Sequence, residues 1–280
     1  MDKPTLVDRT LSETEATTPL PAAFDSAVPT YDETFSQTIL GRWLRDRVRK
    51  RLVTNYHAGN HVLELGCGTG EDAIWLAEQG IRITATDQSD GMLKITYEKI
   101  RRSNLAHMVQ TNHLDLNRPD NIFETKFDGV FANFGVLNCV QNRTRLAKSL
   151  ASRLHPGSPA LFVVMNPYCP WETLWHLLYG QFKESIRRFA KNGLQVSIAD
   201  GNTFQVWYPS PDQLKSEFQT HFEARHLEGL GVFLPPSYFN HLVSKHPSLF
   251  AKLARLEEKV ASRFPWNRLN DHYILELRRR

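Results

Sequence analysis

A short apolar run, three closely spaced glycines and an acidic residue form the most distinctive stretch of this chain. Residues 62–65 are apolar except for Glu64, and Gly66, Gly68 and Gly70 follow at once. Glycines at this spacing let the backbone turn tightly and bring a ligand close to the main chain. A helix that begins there points its first N–H groups at that ligand. The residue types therefore indicate a site that binds a ligand largely through backbone groups.

The next helix and strand place a carboxylate beside this loop. Apolar residues recur with helical spacing over 72–77, and Gly80 is typical of the residue that follows a helix end. Residues 81–85 alternate as a second strand, with Asp87 at its carboxyl end. A carboxylate at that point can accept both hydroxyls of a ribose. We therefore interpret residues 61–91 as a nucleoside-binding βαβ unit.

The sequence ELGCGTG at 64–70, followed by ATDQSDGML at 85–93, resembles the first two motifs of the class I S-adenosylmethionine-dependent methyltransferases. The gap before the last glycine is too short for the dinucleotide fingerprint of dehydrogenases. An acid at the strand tip also suits a ligand that carries an ammonium and a sulfonium, whereas it would repel a pyrophosphate. The resemblance covers residues 30–165 by motif and the remainder only by architecture. It implies S-adenosyl-L-methionine as the cofactor.

The resemblance also implies which residues hold that cofactor. An acid after the third strand, here Asp115, would accept a hydrogen bond from the adenine amino group, while Leu116 packs on the ring. Tyr31 stands where the family often has a tyrosine that closes over the methionine end. The implied cofactor-binding set is Tyr31, Glu64, Gly66, Cys67, Gly68, Gly70, Asp87, Gln88, Met92, Asp115, Leu116 and Asn133.

The order of elements predicts an α/β fold, a doubly wound Rossmann-like seven-stranded mostly parallel sheet with an antiparallel last strand and a cap inserted after strand five. Residues 1–22 read as a flexible tail and 23–280 as one methyltransferase domain. Within it we expect the cap at 167–208 and a second helical insertion at 235–270. Two alternating runs around Asp200-Gly201 predict a hairpin inside the cap.

A basic amphipathic helix is predicted over 33–54, because apolar residues recur there at three-and-four spacing. Its other face carries Arg42, Arg45, Arg47, Arg49, Lys50 and Arg51. Such a helix can touch an anionic membrane transiently. The preferred interpretation is a solvated face on a helix that packs against the sheet.

Composition excludes several classes of protein. Apolar residues at 41% and charged residues at 23% describe an ordinary globular protein, and the net charge of +4 does not by itself argue for nucleic acid. No apolar run reaches about 18 residues and no signal-peptide stretch is evident, so we expect a cytoplasmic protein. The three cysteines are far apart, and no cluster has metal-ligand spacing, so no metal is expected.

The expected reaction is methyl transfer to an O or N atom of a small organic or lipid-like acceptor. Weak candidates for a catalytic role are Asn133, Asn138, His176 and His226, with His221 as a further histidine near a strand end. Aromatic residues concentrate in the cap, which we expect to fold back over residues 133–138 and enclose the acceptor. Trp171, Trp175 and Trp207 would face it in part, although such residues are also typical of the cap's own core.

Three other functions stay open at this point. One is a non-catalytic S-adenosylmethionine-binding or scaffolding protein, because the cofactor loop and the acceptor site are separate. The second is a dinucleotide-dependent oxidoreductase, against which the position of Glu64 argues. The third is an RNA methyltransferase, although the family's Asn/Asp-Pro-Pro-Tyr motif for nucleic-acid amines is absent after the fourth strand. The oligomeric state is not indicated.

Overall fold

The computed structural model describes residues 24–25, 32–119, 123–197 and 203–280. Nine strands are present there: β1 (His61–Leu65), β2 (Arg82–Asp87), β3 (Val109–His113), β4 (Gly129–Ala132), β5 (Pro159–Met165), β6 (Leu194–Ser197), β7 (Thr203–Val206), β8 (Phe222–Leu230) and β9 (His272–Arg279). Seven of them form one sheet in the order β3-β2-β1-β4-β5-β9-β8, and β6 pairs with β7 separately. The expected α/β sheet is confirmed.

Nine α-helices accompany these strands within the same residues: α1 (Ile39–Asn55), α2 (Glu71–Glu78), α3 (Asp90–Arg102), α4 (Arg143–Arg153), α5 (Pro170–Leu178), α6 (Phe182–Ser185), α7 (Pro211–Phe218), α8 (Asn240–Lys245) and α9 (Pro247–Val260). Two cores lie against the sheet. One contains Val62 and residues of α1 and α2, and the other contains Leu63, Leu65 and residues of α4 and α7. Successive residues of β1 therefore point to opposite faces, as burial on both sides requires.

The strand that comes last in the chain, β9, runs antiparallel to both of its neighbours in the sheet. β9 pairs with β5 along its length, from Pro159–Arg278 to Met165–His272, and with β8 on its other side. Tyr273, Ile274 and Leu275 are completely buried. The antiparallel strand predicted from the sequence is therefore an interior strand of the sheet.

Helix α1 starts later than the sequence pattern indicates. Residues 32–36 form a π-helical turn, and α1 begins at Ile39, after Thr38, whose side-chain oxygen accepts a hydrogen bond from the Gly41 N–H at 2.9 Å. The predicted start at residue 33 was wrong. Apolar residues recur at helical spacing both before and after the start of α1, and only the capping residue Thr38 shows where the α-helix begins.

Four of the arginines of α1 are paired with carboxylates and do not form a solvated face. Arg45 is buried and pairs with Asp72, which Arg49 also contacts at 3.0 Å. Arg47 reaches Glu228 and Glu257, and Arg51 reaches Glu276. The interpretation of a solvated face was therefore wrong for these arginines. These ion pairs also neutralise most of the positive charge that a contact between this helix and an anionic membrane would need.

The two insertions occupy different places. Residues 167–208 contain α5, α6 and the hairpin β6–β7, and the turn at Asp200-Gly201 lies outside the described residues. The second insertion contributes α8 and α9, which pack on α1. Glu257 of α9 fixes it there, because its carboxylate accepts from the backbone N–H groups of Gly231, Val232 and Phe233.

Candidate functional site

The loop after β1 needs glycine for two separate reasons. Gly66, Gly68 and Gly70 have φ values of 64°, 53° and 79°, in the left-handed region. A Cβ at Gly66 would lie 2.5 Å from a methyl of Val136, and one at Gly70 would lie 2.6 Å from the methyl of Thr96. The chain therefore turns sharply and passes close to neighbouring side chains before α2 begins at Glu71.

Asp87 is tied to this loop by hydrogen bonds. Its Oδ2 atom accepts from the N–H of Gly68 at 2.8 Å, and its Oδ1 atom accepts from the N–H of Ser89 at 3.0 Å. Burial raises the pKa of the carboxyl, and the N–H donors oppose that rise. The carboxylate is thus held in one orientation at the carboxyl end of β2.

A large cavity opens over this edge of the sheet. Its volume is about 1130 Å³. Residues from the sheet edge form one side, and cap residues with Tyr238 and Phe239 form the other. Of the expected cofactor-binding residues, those in its wall are Gly66, Gly68, Asp87, Gln88, Met92, Leu116 and Asn133.

Other expected residues lie outside that wall. Cys67 and Gly70 belong to the turn itself, and the Asp115 carboxylate accepts from the Asn117 N–H at 2.9 Å, closing its own loop. Leu114 and Asn117, which the sequence did not single out, line the cavity beside Leu116. Tyr31 lies outside the described residues. The contacts of all these residues with a cofactor stay predictions.

Glu64 is buried rather than exposed to the cavity. It is 3% exposed, and its Oε2 atom has no hydrogen-bond partner among the described residues. Burial raises the pKa of this carboxyl well above its usual value, and the neighbouring Asp72 raises it further. An acid whose pKa is higher in the folded state makes folding less favourable as the pH rises above the unfolded value.

Replacing Glu64 by glutamine is therefore expected to stabilise the protein without ligand, by at least about 1 kcal/mol at pH 8, because a buried unpaired acid is removed. The gain should shrink towards pH 5, where the folded chain keeps the proton on the wild-type carboxyl. Thermal melting of both proteins at pH 5 and pH 8 measures this. A difference in Tm that is constant with pH would contradict the raised pKa.

Asn133, at the end of β4, links the cavity to the ion pairs of α1. Its Nδ2 atom donates to Asp72 at 2.9 Å, and Arg45 and Arg49 hold that same carboxylate. Its Oδ1 atom is buried and has no hydrogen-bond partner within the described part of the chain. Asn133 therefore brings a fixed acceptor to the cavity wall.

Asn138 has a different position. Its side chain donates to the carbonyl oxygens of Met165 and Trp207 and accepts from the Met165 N–H at 2.9 Å. The Trp207 N–H also donates to the Asn138 carbonyl oxygen at 2.8 Å. Asn138 thus joins the cap hairpin to β5 and is absent from the cavity wall.

Among the candidate histidines, only His176 lies in the cavity wall. Its Nδ1 atom is 2.6 Å from the side-chain oxygen of Gln181. His226 lies on β8 and contacts Glu228, and the carbonyl oxygen of His221 accepts from Arg280. The histidines of β8 and its preceding turn are therefore separate from the cavity.

The cap hairpin presents alternate residues to the cavity. Phe204, Val206 and Tyr208 are in the wall, as is Trp175 of α5. Trp171 instead packs towards Phe250 of α9, with ring centroids 6.4 Å apart. Trp207 lies between the wall residues Val206 and Tyr208 in the chain, and its side chain lies beside Gly193. The expectation that Trp171 and Trp207 face the acceptor was wrong, because β alternation and the α5–α9 contact turn them elsewhere.

A buried ion cluster, which sequence reasoning missed, anchors the cap. Arg188 donates to Glu172 at 2.6 Å and to Asp271 at 2.8 Å. Arg187 and Tyr238 also donate to Glu172. Burial disfavours the charge of Arg188, but the two carboxylates overcome this and raise its pKa well above the usual range.

The carboxylates of this cluster and Cys169 lie close enough together to ligate a metal ion. Arg188 already supplies a positive charge to both carboxylates, which fits an ion-pair anchor. Although burial opposes its ionisation, His272 and Arg188 hold the pKa of Asp271 below its usual range.

Comparison with known proteins gives a consistent result. Residues 63–159 match the family model of a methyltransferase domain. The demethylmenaquinone methyltransferase of Clavibacter sepedonicus is 31% identical over 136 residues, a match that spans 49% of this chain and 54% of that protein. The enzyme of the same name from Symbiobacterium thermophilum is 25% identical, over 70% of this chain and 81% of its own length.

Solved structures support the fold. The [4+2]-cyclase SpnF has a TM-score of 0.60 and 17% identity, and the alignment covers 95% of this chain and 98% of that one. At this identity the likeness concerns the architecture alone, and chemistry has to be argued from the residues of the site.

Proposed function

We propose that the chain is a class I S-adenosylmethionine-dependent methyltransferase, as the methyltransferase-domain match over residues 63–159 and the named relatives support. It would transfer a methyl group to an oxygen or nitrogen atom of a small, lipid-like acceptor. The observation that carries this proposal is the continuous cavity between the glycine loop and the cap. Its volume of about 1130 Å³ exceeds the roughly 300 to 1000 Å³ of common ligand pockets. The cavity therefore has room for a cofactor and an acceptor together.

We assign the sheet side of the cavity to S-adenosyl-L-methionine. Asp87 would accept the ribose hydroxyls, and Met92 and Leu116 would pack against the adenine ring. The buried Oδ1 atom of Asn133, which has no hydrogen-bond partner within the described residues, fits the ammonium of the methionine end. When bound, the cofactor supplies an electrophilic methyl group on its sulfonium. The chain's own task is to bind, orient and exclude water.

The cap side suits an apolar acceptor that carries a ring. Trp175, Phe204, Tyr208 and Phe239 present aromatic surface to the cavity. The relatives from Clavibacter and Symbiobacterium are named for demethylmenaquinone, an apolar quinone. Both facts support a prenylated or similarly lipid-like ring compound as the acceptor.

A hydroxyl acceptor needs a group that takes its proton, and we assign this role to His176. The side-chain oxygen of Gln181 can only accept, so the contact at 2.6 Å places the ring proton on Nδ1. Nε2 is then the acceptor nitrogen of the imidazole. A general base of this kind contributes about 100-fold or more to a rate.

The proposal is tested by following a radiolabelled methyl group from S-adenosylmethionine into added acceptors. Demethylmenaquinone in its reduced form, a lipid extract, water-soluble amines and RNA are offered separately. We expect label in the organic phase only when enzyme and a lipid acceptor are both present. Label confined to water-soluble amines or RNA would refute the acceptor class. No label with any acceptor, despite cofactor binding by calorimetry, would favour a non-catalytic protein.

Two further measurements test the identity of the acceptor atom and the role of His176. NMR of the product locates the new methyl group, and a methyl on carbon would contradict the assigned O or N atom. With a hydroxyl acceptor, His176→Asn should lower kcat about 100-fold while the Kd for the cofactor stays unchanged. An equal kcat for both proteins would remove His176 from the chemistry.

A further inference from the structure

The outer side of the cap carries an exposed apolar surface, which we call the outer apolar face. It consists of Leu174, Leu177, Leu178, Tyr179, Phe182 and Ile186. We propose that this face docks onto an anionic phospholipid bilayer, so that an acceptor dissolved in the membrane enters the cavity directly. The proposal deepens the proposed function and rests on its lipid-like acceptor.

The helical spacing of α5 separates an anchored side from this face. Glu172 is buried in the ion cluster, and Trp175 stacks towards Phe239 with ring centroids 4.6 Å apart. Leu174 and Leu178 are four residues apart and therefore lie on one side of the helix. They are 58% and 73% exposed. Because the helix is tied down on its other side, these two leucines stay largely exposed.

The outer apolar face is continuous with the cavity. Phe182 is 69% exposed and also lines the cavity, as do Gly180 and Lys183. The mouth of the cavity therefore lies beside the exposed leucines. An apolar molecule that left a bilayer at this point would pass from lipid to protein without crossing water, which lowers the cost of its transfer.

Charge points to an anionic membrane rather than to a neutral apolar partner. The exposed charged side chains of the described segment that follows α5, residues 179–193, are Lys183 and Lys191. The acidic groups nearby are already paired, because Glu184 in this segment contacts Arg187 at 3.8 Å and Glu172 of α5 is buried with Arg188. Apolar side chains flanked by lysines are typical of protein segments that lie in the interface of anionic bilayers. No helix among the described residues is long and apolar enough to span a membrane.

The experiment is co-sedimentation of the full chain with vesicles of phosphatidylcholine alone or with phosphatidylglycerol, without any acceptor. We expect the wild-type protein to bind the anionic vesicles. The double variant with Leu174→Glu and Leu178→Glu should have a partition coefficient into these vesicles that is at least about tenfold lower. Neither leucine lines the cavity. Leu256→Glu on α9, at a leucine that is 47% exposed, is the matched control and should bind like the wild type.

Three results would overturn the proposal. The wild-type protein could fail to bind anionic vesicles, or the outer-face variant and the control could lose binding equally. Sedimentation equilibrium could also show a dimer that only the outer-face variant dissociates, which would assign the face to a second copy of the chain. Turnover of a short-chain, water-soluble acceptor is measured in parallel. Its presence in both variants keeps the proposed function even if docking fails, and its absence in the wild type rejects the function independently.

Discussion

Gly68→Val is expected to abolish binding of S-adenosylmethionine, with a loss of affinity of at least about 1000-fold, or about 4 kcal/mol. Gly68 lines the cavity with φ at 53°, and its N–H holds Asp87 in place at 2.8 Å. A valine side chain would project where the ligand must approach the backbone, and a non-glycine residue would also strain this conformation. Isothermal titration calorimetry measures the affinity, and circular dichroism checks the fold.

Gly157→Val provides a matched control for backbone strain. Gly157 also has positive φ, at 81°, but nothing lies within 4 Å of its added Cβ. Both variants should lose roughly 1 to 2 kcal/mol of stability from the strained conformation, while only Gly68→Val loses the cofactor. Equal affinities for the two proteins would show that the loop after β1 is a structural turn and would place the cofactor elsewhere.

The second large effect is expected at the ion cluster beneath the cap. Arg188→Met should lower the free energy of unfolding by about 3 to 5 kcal/mol, because it leaves two buried carboxylates without their cation. Glu172 and Asp271 are 2% and 4% exposed. Urea denaturation followed by fluorescence and circular dichroism gives the stability, and cofactor affinity should fall less than acceptor turnover because Asp87 is remote from the cluster in sequence and contacts.

Arg268→Met is the control for loss of an arginine ion pair. Arg268 pairs with Asp212, whose side chain is 66% exposed, and exposed pairs contribute at most about 1 kcal/mol. A small and equal loss in both variants would mean that water reaches Glu172 and Asp271 in the folded protein. The cap would then be held by apolar packing, and the cluster would not be its anchor.

Local patterns in the sequence were enough to predict the sheet edge. The apolar run of β1, the three glycines and Asp87 lie within 27 residues, and the wall of the cavity contains Gly66, Gly68 and Asp87. A turn, a buried strand and a helix start each depend on neighbours in the chain. These features therefore carry their structural meaning in short stretches of sequence.

The ion pairs could not be predicted in the same way. Arg47 pairs with Glu257, 210 residues away, and Arg188 with Asp271, 83 residues away. A row of arginines on a helix gives no sign of which carboxylates the fold will bring to it. The orientation of Trp171 depended likewise on α9, whose position against α5 is set only by tertiary packing.

The antiparallel strand β9 has a consequence for how the chain is made. It lies between β5 and β8, so β5 has one unpaired edge and β8 has no partner strand in the sheet until residues 272–279 have left the ribosome. During that interval an apolar sheet edge is available to other nascent chains, which is a known route to aggregation. Truncation near residue 272 would therefore remove an interior strand of the sheet and leave β8 without its partner. The strands next to the glycine loop, by contrast, all precede β5 in the chain, so β1 to β4 can pair with one another before β9 is made.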